Sequence, residues 1–198
     1  MDLVVATKNK KKLKEIEELL ADFNLKILSL ADFPRAPKII EDGKTFDQNA
    51  IKKAATIAMY TGKLTMGEDS GLEVKALKNK PGVYSSRYSG EGATDKKNNL
   101  KLLRDLKNIP LKKRNARYRC SIAIADKHKL IAVVNGSCNG LIGFRSKGSA
   151  GFGYDPLFII PKYSKTFAEL GEKIKHTMSH RAKAIKKAKR VMARVLRK

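Results

Sequence analysis

Leu3-Val4-Val5-Ala6-Thr7-Lys8-Asn9-Lys10-Lys11-Lys12-Leu13 is an apolar run that stops in a polar turn and reopens as a helix. The first four residues read as a buried strand. Leu13, Ile16, Leu19, Leu20 and Phe23 then recur on one face at helical spacing. Leu25 to Leu30 alternates like a second strand. Strand, helix and strand in close succession place the chain in the α/β class.

Working outward, Ala31 to Gly43, with Pro34 and Pro37, reads as a loop. Thr45-Phe46-Asp47-Gln48 is a capping box that opens a helix to about Tyr60, and Gly62 ends it. Leu64 to Gly67 is expected to be a strand, which would put Glu68-Asp69-Ser70 at its C-terminal edge. Pro81 to Gly92 reads as a loop and Thr94 to Leu106 as a helix. Tyr118 to Ala125 and Leu130 to Asn135 flank a turn at Asp126-Lys127-His128-Lys129, a hairpin pattern. Leu157 to Ile160 is a further strand. A last helix starts near Ser179 and carries an apolar stripe of Ala182, Ile185, Ala188, Met192 and Val195. With no repeat, low-complexity tract or linker, residues 1–198 read as a single domain with a mixed sheet.

The 198 residues carry 43 Lys and Arg against 19 Asp and Glu, a net charge of +24. Such a charge attracts polyanions, whether nucleotides, nucleic acids or anionic membranes. From Lys173 to Lys198 there are eleven Lys or Arg and no acidic residue. No apolar run approaches the roughly 20 residues of a membrane span. The start Met1-Asp2-Leu3-Val4-Val5 turns basic only afterwards, the reverse of a signal peptide, so a cytoplasmic protein is expected. Cys120 and Cys138 form no Cys-x-x-Cys pair, and His128, His176 and His180 complete no zinc pattern with them. Both cysteines are expected to be reduced.

Three constellations carry chemistry. Thr7 to Lys12 lies between strand and helix, where backbone N–H groups and the helix dipole favour an anion, with Asn9 and Lys12 beside it. It is not a Walker A loop, and a simple helix cap with a lysine-rich face explains it equally well. Glu68-Asp69-Ser70-Gly71 brings two carboxylates and a hydroxyl together, hard oxygen donors that suit Mg²⁺, with Glu41 as a further carboxylate. Gly151-Phe152-Gly153-Tyr154-Asp155-Pro156 offers flexible backbone, Phe152 or Tyr154 to stack on a base, and Asp155 to orient a base N–H. Ser179-His180-Arg181 then supplies a cap, an imidazole and a guanidinium.

These strings, together with Pro81-Gly82-Val83-Tyr84-Ser85-Ser86-Arg87-Tyr88 and Phe167-Ala168-Glu169-Leu170, stand in the order of one family. Over nearly its whole length the chain resembles the inosine/xanthosine triphosphate pyrophosphatases, house-cleaning enzymes of the nucleotide pool. The resemblance implies a mixed, strongly twisted sheet in two lobes with a central substrate cleft, and a homodimer. It implies Mg²⁺-dependent hydrolysis of ITP, dITP or XTP to the monophosphate and pyrophosphate. By position, Thr7, Lys8, Asn9, Lys10, Lys11 and Lys12 would hold the triphosphate. Asp69 would be proton acceptor and, with Glu41, metal ligand. Ser70, Phe152, Gly153, Tyr154, Asp155, Lys175, His180 and Arg181 would contact substrate, Lys175 because it stands four residues before Ser179. Arg181 would serve either the 6-oxo group, so that its loss narrows the gap between ITP and ATP, or the phosphates.

The family does not require a charge of +24. A nucleic-acid-binding protein using the basic C-terminal helix is the alternative class, but the sequence has no aromatic-interleaved basic motif. At most, weak and non-specific nucleic-acid adhesion is expected, from Lys183, Lys186, Lys187, Lys189, Arg190, Arg194 and Arg197.

Overall fold

In the computed structural model, which describes residues 2–196, β1 (Asp2–Val5), α1 (Lys10–Leu20) and β2 (Lys26–Ser29) form the opening strand–helix–strand. β1 pairs in parallel with β2 on one side and β3 (Leu64–Val74) on the other. After α2 (Phe46–Thr61), β3 and α3 (Asp95–Asp105), the chain forms β4 (Asn115–Ala125) and β5 (Leu130–Ile142). β6 (Phe158–Ile160) and β7 (Lys165–Thr166) follow, then α4 (Phe167–Met178) and α5 (His180–Leu196). The seven strands bond in the order β2-β1-β3-β4-β5-β6-β7, and β6 runs antiparallel to both β5 and β7. The sheet is therefore mixed, as expected. Among the described residues no helix is long and apolar enough to cross a membrane.

The chain forms two compact units. The first takes the chain up to Asp69, Cys120–Gly136 and the chain from Arg181 onward; the second takes Ser70–Arg119 and Ser137–His180. Both are discontinuous in sequence and share no linker, which is why composition gave no boundary. In the first unit Leu3, Val5, Ile16, Met66, Ile122, Ile185 and Met192 fill one core. In the second, Leu72, Leu102, Tyr118, Phe158 and Phe167 do so, with the rings of Tyr118 and Phe158 4.5 Å apart.

Local chemistry sets the element ends. Thr45 and Gln48 form the predicted capping box on α2, and Gly62 closes that helix in the left-handed region at φ 68°. At the β4–β5 turn the Asp126 carboxylate accepts from the N–H groups of His128 and Lys129, giving the expected hairpin. Both hairpin strands run longer than the apolar pattern implied, since β4 starts at Asn115 and β5 continues to Ile142. Gly82–Arg87, expected to be loop, is a 3₁₀ turn. α4 is an element the apolar pattern did not reveal; its Thr166–Glu169 capping box is visible in sequence, but Gly171, at φ 77°, kinks it.

The largest departure is β3. It does not end at Gly67 but continues to Val74, so Glu68 and Asp69 lie in mid-strand and are buried. The glycine is a point of close approach: a Cβ there would lie 2.2 Å from the Ala50 carbonyl oxygen and 2.5 Å from the Ala54 nitrogen. Backbone on α2 cannot yield as a side-chain tip can. Gly67→Ala is expected to destabilise the protein by about 1–3 kcal/mol, read as a lowered unfolding midpoint in urea. An unchanged midpoint would mean that α2 shifts freely.

α5 turns Ala184, Ile185, Ala188 and Met192 inward and leaves Lys183, Lys186, Lys187, Arg190 and Arg194 exposed. Lys187 donates to the Asn135 carbonyl, and Lys189 is half-buried against Asp22. Arg197 lies outside the described residues.

Candidate active site

At the N-terminal site, Asn9 caps α1. Its side-chain oxygen accepts from the N–H groups of Lys11 and Lys12, at 3.0 and 3.1 Å, and its own N–H donates to Thr7 Oγ1. Those two helix N–H groups are thus satisfied within the chain. Lys8, Lys10 and Lys11 are exposed, whereas Lys12 reaches inward to pair with Glu68 at 2.9 Å.

Glu68 is 1% exposed and takes a second cation, Arg181, whose Nη2 donates to Glu68 Oε1 at 3.1 Å. Arg181 Nη1 donates to Glu15, also buried. Cys120 Sγ donates to Glu68 Oε1 as well, at 3.3 Å, and burial pushes that thiol's pKa well up, with Glu68 adding to the effect. Burial alone would lower the Arg181 pKa, but Glu68 and Glu15 raise it overall. Arg181 is thus paired with two carboxylates of the first unit.

Asp69 points to a different cation. Lys53, on α2, donates to Asp69 Oδ1 at 3.0 Å, to the Glu68 carbonyl at 3.1 Å, and pairs with Glu41 at 2.6 Å. Asn49, one turn earlier on α2, donates to Asp69 Oδ2 at 3.1 Å and accepts from the Gly43 N–H at 2.8 Å. Burial raises the Asp69 pKa above the usual carboxylate value, more than Lys53 and Lys12 lower it. Glu41 goes the other way: burial pushes it up, but the Lys53 charge holds it below its ordinary value. Lys53 itself stays a firm cation, since Asp69 and Glu41 outweigh its burial.

The residues fit a hard cation. Glu41 and Asp69 direct oxygens at one positive centre, filled here by the Lys53 ammonium. Among the described residues no three His, Cys, Asp or Glu side chains gather as a closed cage. Two carboxylates, with the rest of the shell left to water and phosphate, match the way Mg²⁺ is bound.

Lys53 and Asn49 were missed from sequence. The available signal was two polar residues four apart, 49 and 53, inside the buried Ala50–Ala54–Ile57 face of α2.

In the second unit, Asp155 is the hub. Its Oδ2 accepts from the Phe152 N–H at 2.9 Å and from Lys175 at 2.7 Å, while Tyr118 donates to Oδ1 at 3.3 Å. Tyr118 in turn stacks on His180, centroids 4.6 Å apart and planes 7° from parallel. Lys175 also lies over the Phe152 ring, 4.7 Å from its centroid. Asp155 thus organises its own loop, in addition to any part in orienting a base N–H. Tyr154 is 4% exposed, and its hydroxyl donates to the Ser85 carbonyl at 2.8 Å. That leaves Phe152, which is half-buried, as the aromatic of this loop. Ser70 is half-buried on β3 next to Asp69.

The model of the Ham1 family matches residues 3–191. A dITP/XTP pyrophosphatase from Desulforamulus reducens is 50% identical over 195 residues, 98% of this chain and 97% of that protein. One from Shouchella clausii is 48% identical over 93% of this chain and 92% of its own. Among solved structures, a HAM1 protein from Coxiella burnetii superposes with a TM-score of 0.88 at 37% identity, covering 98% of this chain and 99% of that one.

Proposed function

This chain belongs to the Ham1 family, and on that premise we propose that it is a Mg²⁺-dependent nucleoside-triphosphate pyrophosphatase acting on ITP, dITP and XTP. The observation that carries the reading is the convergence of Glu41 and Asp69 on one cationic centre, in the same unit as Lys12. Asp69 accepts the proton of a water that attacks the α-phosphorus. A P–O bond forms there, the bridging bond to the β-phosphate breaks, and pyrophosphate leaves with the monophosphate as the other product. Lys53 and Asn49 hold the Asp69 carboxylate in one orientation for that transfer. Mg²⁺, when bound by Asp69 and Glu41, neutralises phosphate charge and polarises the phosphoryl oxygens. The lysines from Lys8 to Lys12 add an electrostatic pull on the triphosphate.

The second unit supplies chemistry for the base. Phe152 offers a ring of any-base affinity, and selection of a 6-oxo purine requires a polar group that adenine leaves unpaired. Lys175 lies over that ring, and His180 stacks on Tyr118, which shares the Asp155 carboxylate with Lys175.

A panel of nucleoside triphosphates with Mg²⁺ tests the reading. ITP and XTP are expected to yield pyrophosphate, with ATP and GTP cleaved far more slowly. Orthophosphate as the main product, or ATP as best substrate, would overturn it.

A further inference from the structure

The loop that carries Phe152 is gripped from outside. Gly153, at φ 62°, has both of its peptide groups held by one helix: its N–H donates to Asp95 Oδ2 at 3.0 Å, and its carbonyl accepts from Asn99 Nδ2 at 2.9 Å. Asp95 and Asn99 lie four apart on α3, so their side chains share a face of that helix. The preceding peptide is fixed too, since the Phe152 N–H donates to Asp155 Oδ2. Gly151, at φ 77°, leaves no room for more: a Cβ there would meet the same Asp155 oxygen at 2.2 Å.

α3 is itself anchored. Thr94 caps it by accepting from the Lys97 N–H. Asn98 accepts from the Ser89 N–H at 2.8 Å and donates to the Ser86 carbonyl at 3.1 Å. The Phe152 loop is therefore referenced to a fixed helix. Two positive-φ glycines make such a loop adaptable, and only its external bonds select one conformer.

We propose that Asp95 and Asn99 are positioning residues for the reaction: by clamping Gly153 they fix where the Phe152 ring meets a purine base. The proposal rests on the pyrophosphatase reading above. Neither residue touches the reacting atoms; they act through the ring. A misplaced ring weakens stacking and shifts the base away from the polar groups that tell a 6-oxo purine from adenine, while leaving phosphate chemistry intact, so the effect falls on KM and on base discrimination.

With ITP as substrate, Asp95→Ala is expected to raise KM about tenfold, to leave kcat within about twofold and to narrow the ITP:ATP ratio of kcat/KM. Asn99→Ala is expected to do the same, but Asp95, being exposed, carries the test with little risk to folding. Asp95→Asn keeps an oxygen for the Gly153 N–H and is expected to stay near wild type, which separates the clamp from the charge at the start of α3. In a Phe152→Ala background, Asp95→Ala is expected to add nothing, because its route runs through that ring. An equal penalty in both backgrounds, or an altered melting temperature with an unaltered ITP:ATP ratio, overturns the proposal alone. A wild type that releases pyrophosphate from no purine triphosphate overturns the parent reading, and this proposal with it.

Discussion

Asp69→Asn is expected to cut the rate of pyrophosphate release by about 10²–10⁴-fold, the range attached to a lost general base. The substitution keeps shape and keeps one oxygen. Lys53 retains its partner at Oδ1, while the new amide nitrogen faces the Asn49 side chain, which now has no acceptor there. One unmade bond of this kind costs about 1–3 kcal/mol, so the variant folds with a modestly lowered melting temperature. The proton acceptor and half of the carboxylate pair are gone, however, and neither is restored by Asn. Steady-state turnover at saturating Mg²⁺, alongside thermal unfolding, separates the two effects. Near-normal turnover would move the role to Glu68 or Glu41.

The second large effect is structural, and it concerns a residue expected to contact substrate. Arg181→Ala is expected to destabilise the protein by about 3–5 kcal/mol, since removing one partner of a buried ion pair leaves an uncompensated charge. Here two carboxylates, Glu15 and Glu68, lose a cation at once, while Glu68 keeps its pair with Lys12. For a chain of this size that is a fall in melting temperature of roughly 10 °C. Arg181→Ala combined with Glu15→Gln should recover part of it, because one of the stranded charges is then absent. If Arg181→Ala instead melts like wild type and only narrows the ITP:ATP ratio, the guanidinium serves substrate first and its buried pairs are incidental.

What the sequence made legible was whatever is encoded locally. The Thr45–Gln48 cap, the Asp126 turn and the apolar stripe of α5 are each settled by residues within a few positions of one another. What it hid depends on distant partners. Glu68-Asp69 looks like a polar turn because nothing nearby neutralises it; its cations sit at positions 12, 53 and 181. Asp155 looks free for a ligand until Lys175, Tyr118 and the Phe152 N–H are seen to occupy it. The setting of Tyr154 was hidden for a related reason, since an aromatic between glycines reads the same whether its hydroxyl faces solvent or the Ser85 carbonyl. Family resemblance points to stretches of chain, but whether each side chain is exposed or committed is a property of packing.

Leu3 of the first strand and Met192 of the last helix belong to one core, together with Ile122 from the hairpin between them. During synthesis, therefore, the Leu3 strand has no finished surface to settle on until Met192 has been made. The first unit closes last, and until then its apolar face is the business of the ribosome exit and of chaperones. Contacts that distant in sequence also slow folding, because the loop must be closed before they contribute. Shortening the basic C-terminal helix before Met192 would thus act as a folding lesion felt at the opposite terminus, and a nascent chain stalled there should be as protease-sensitive at Leu3 as at its own end.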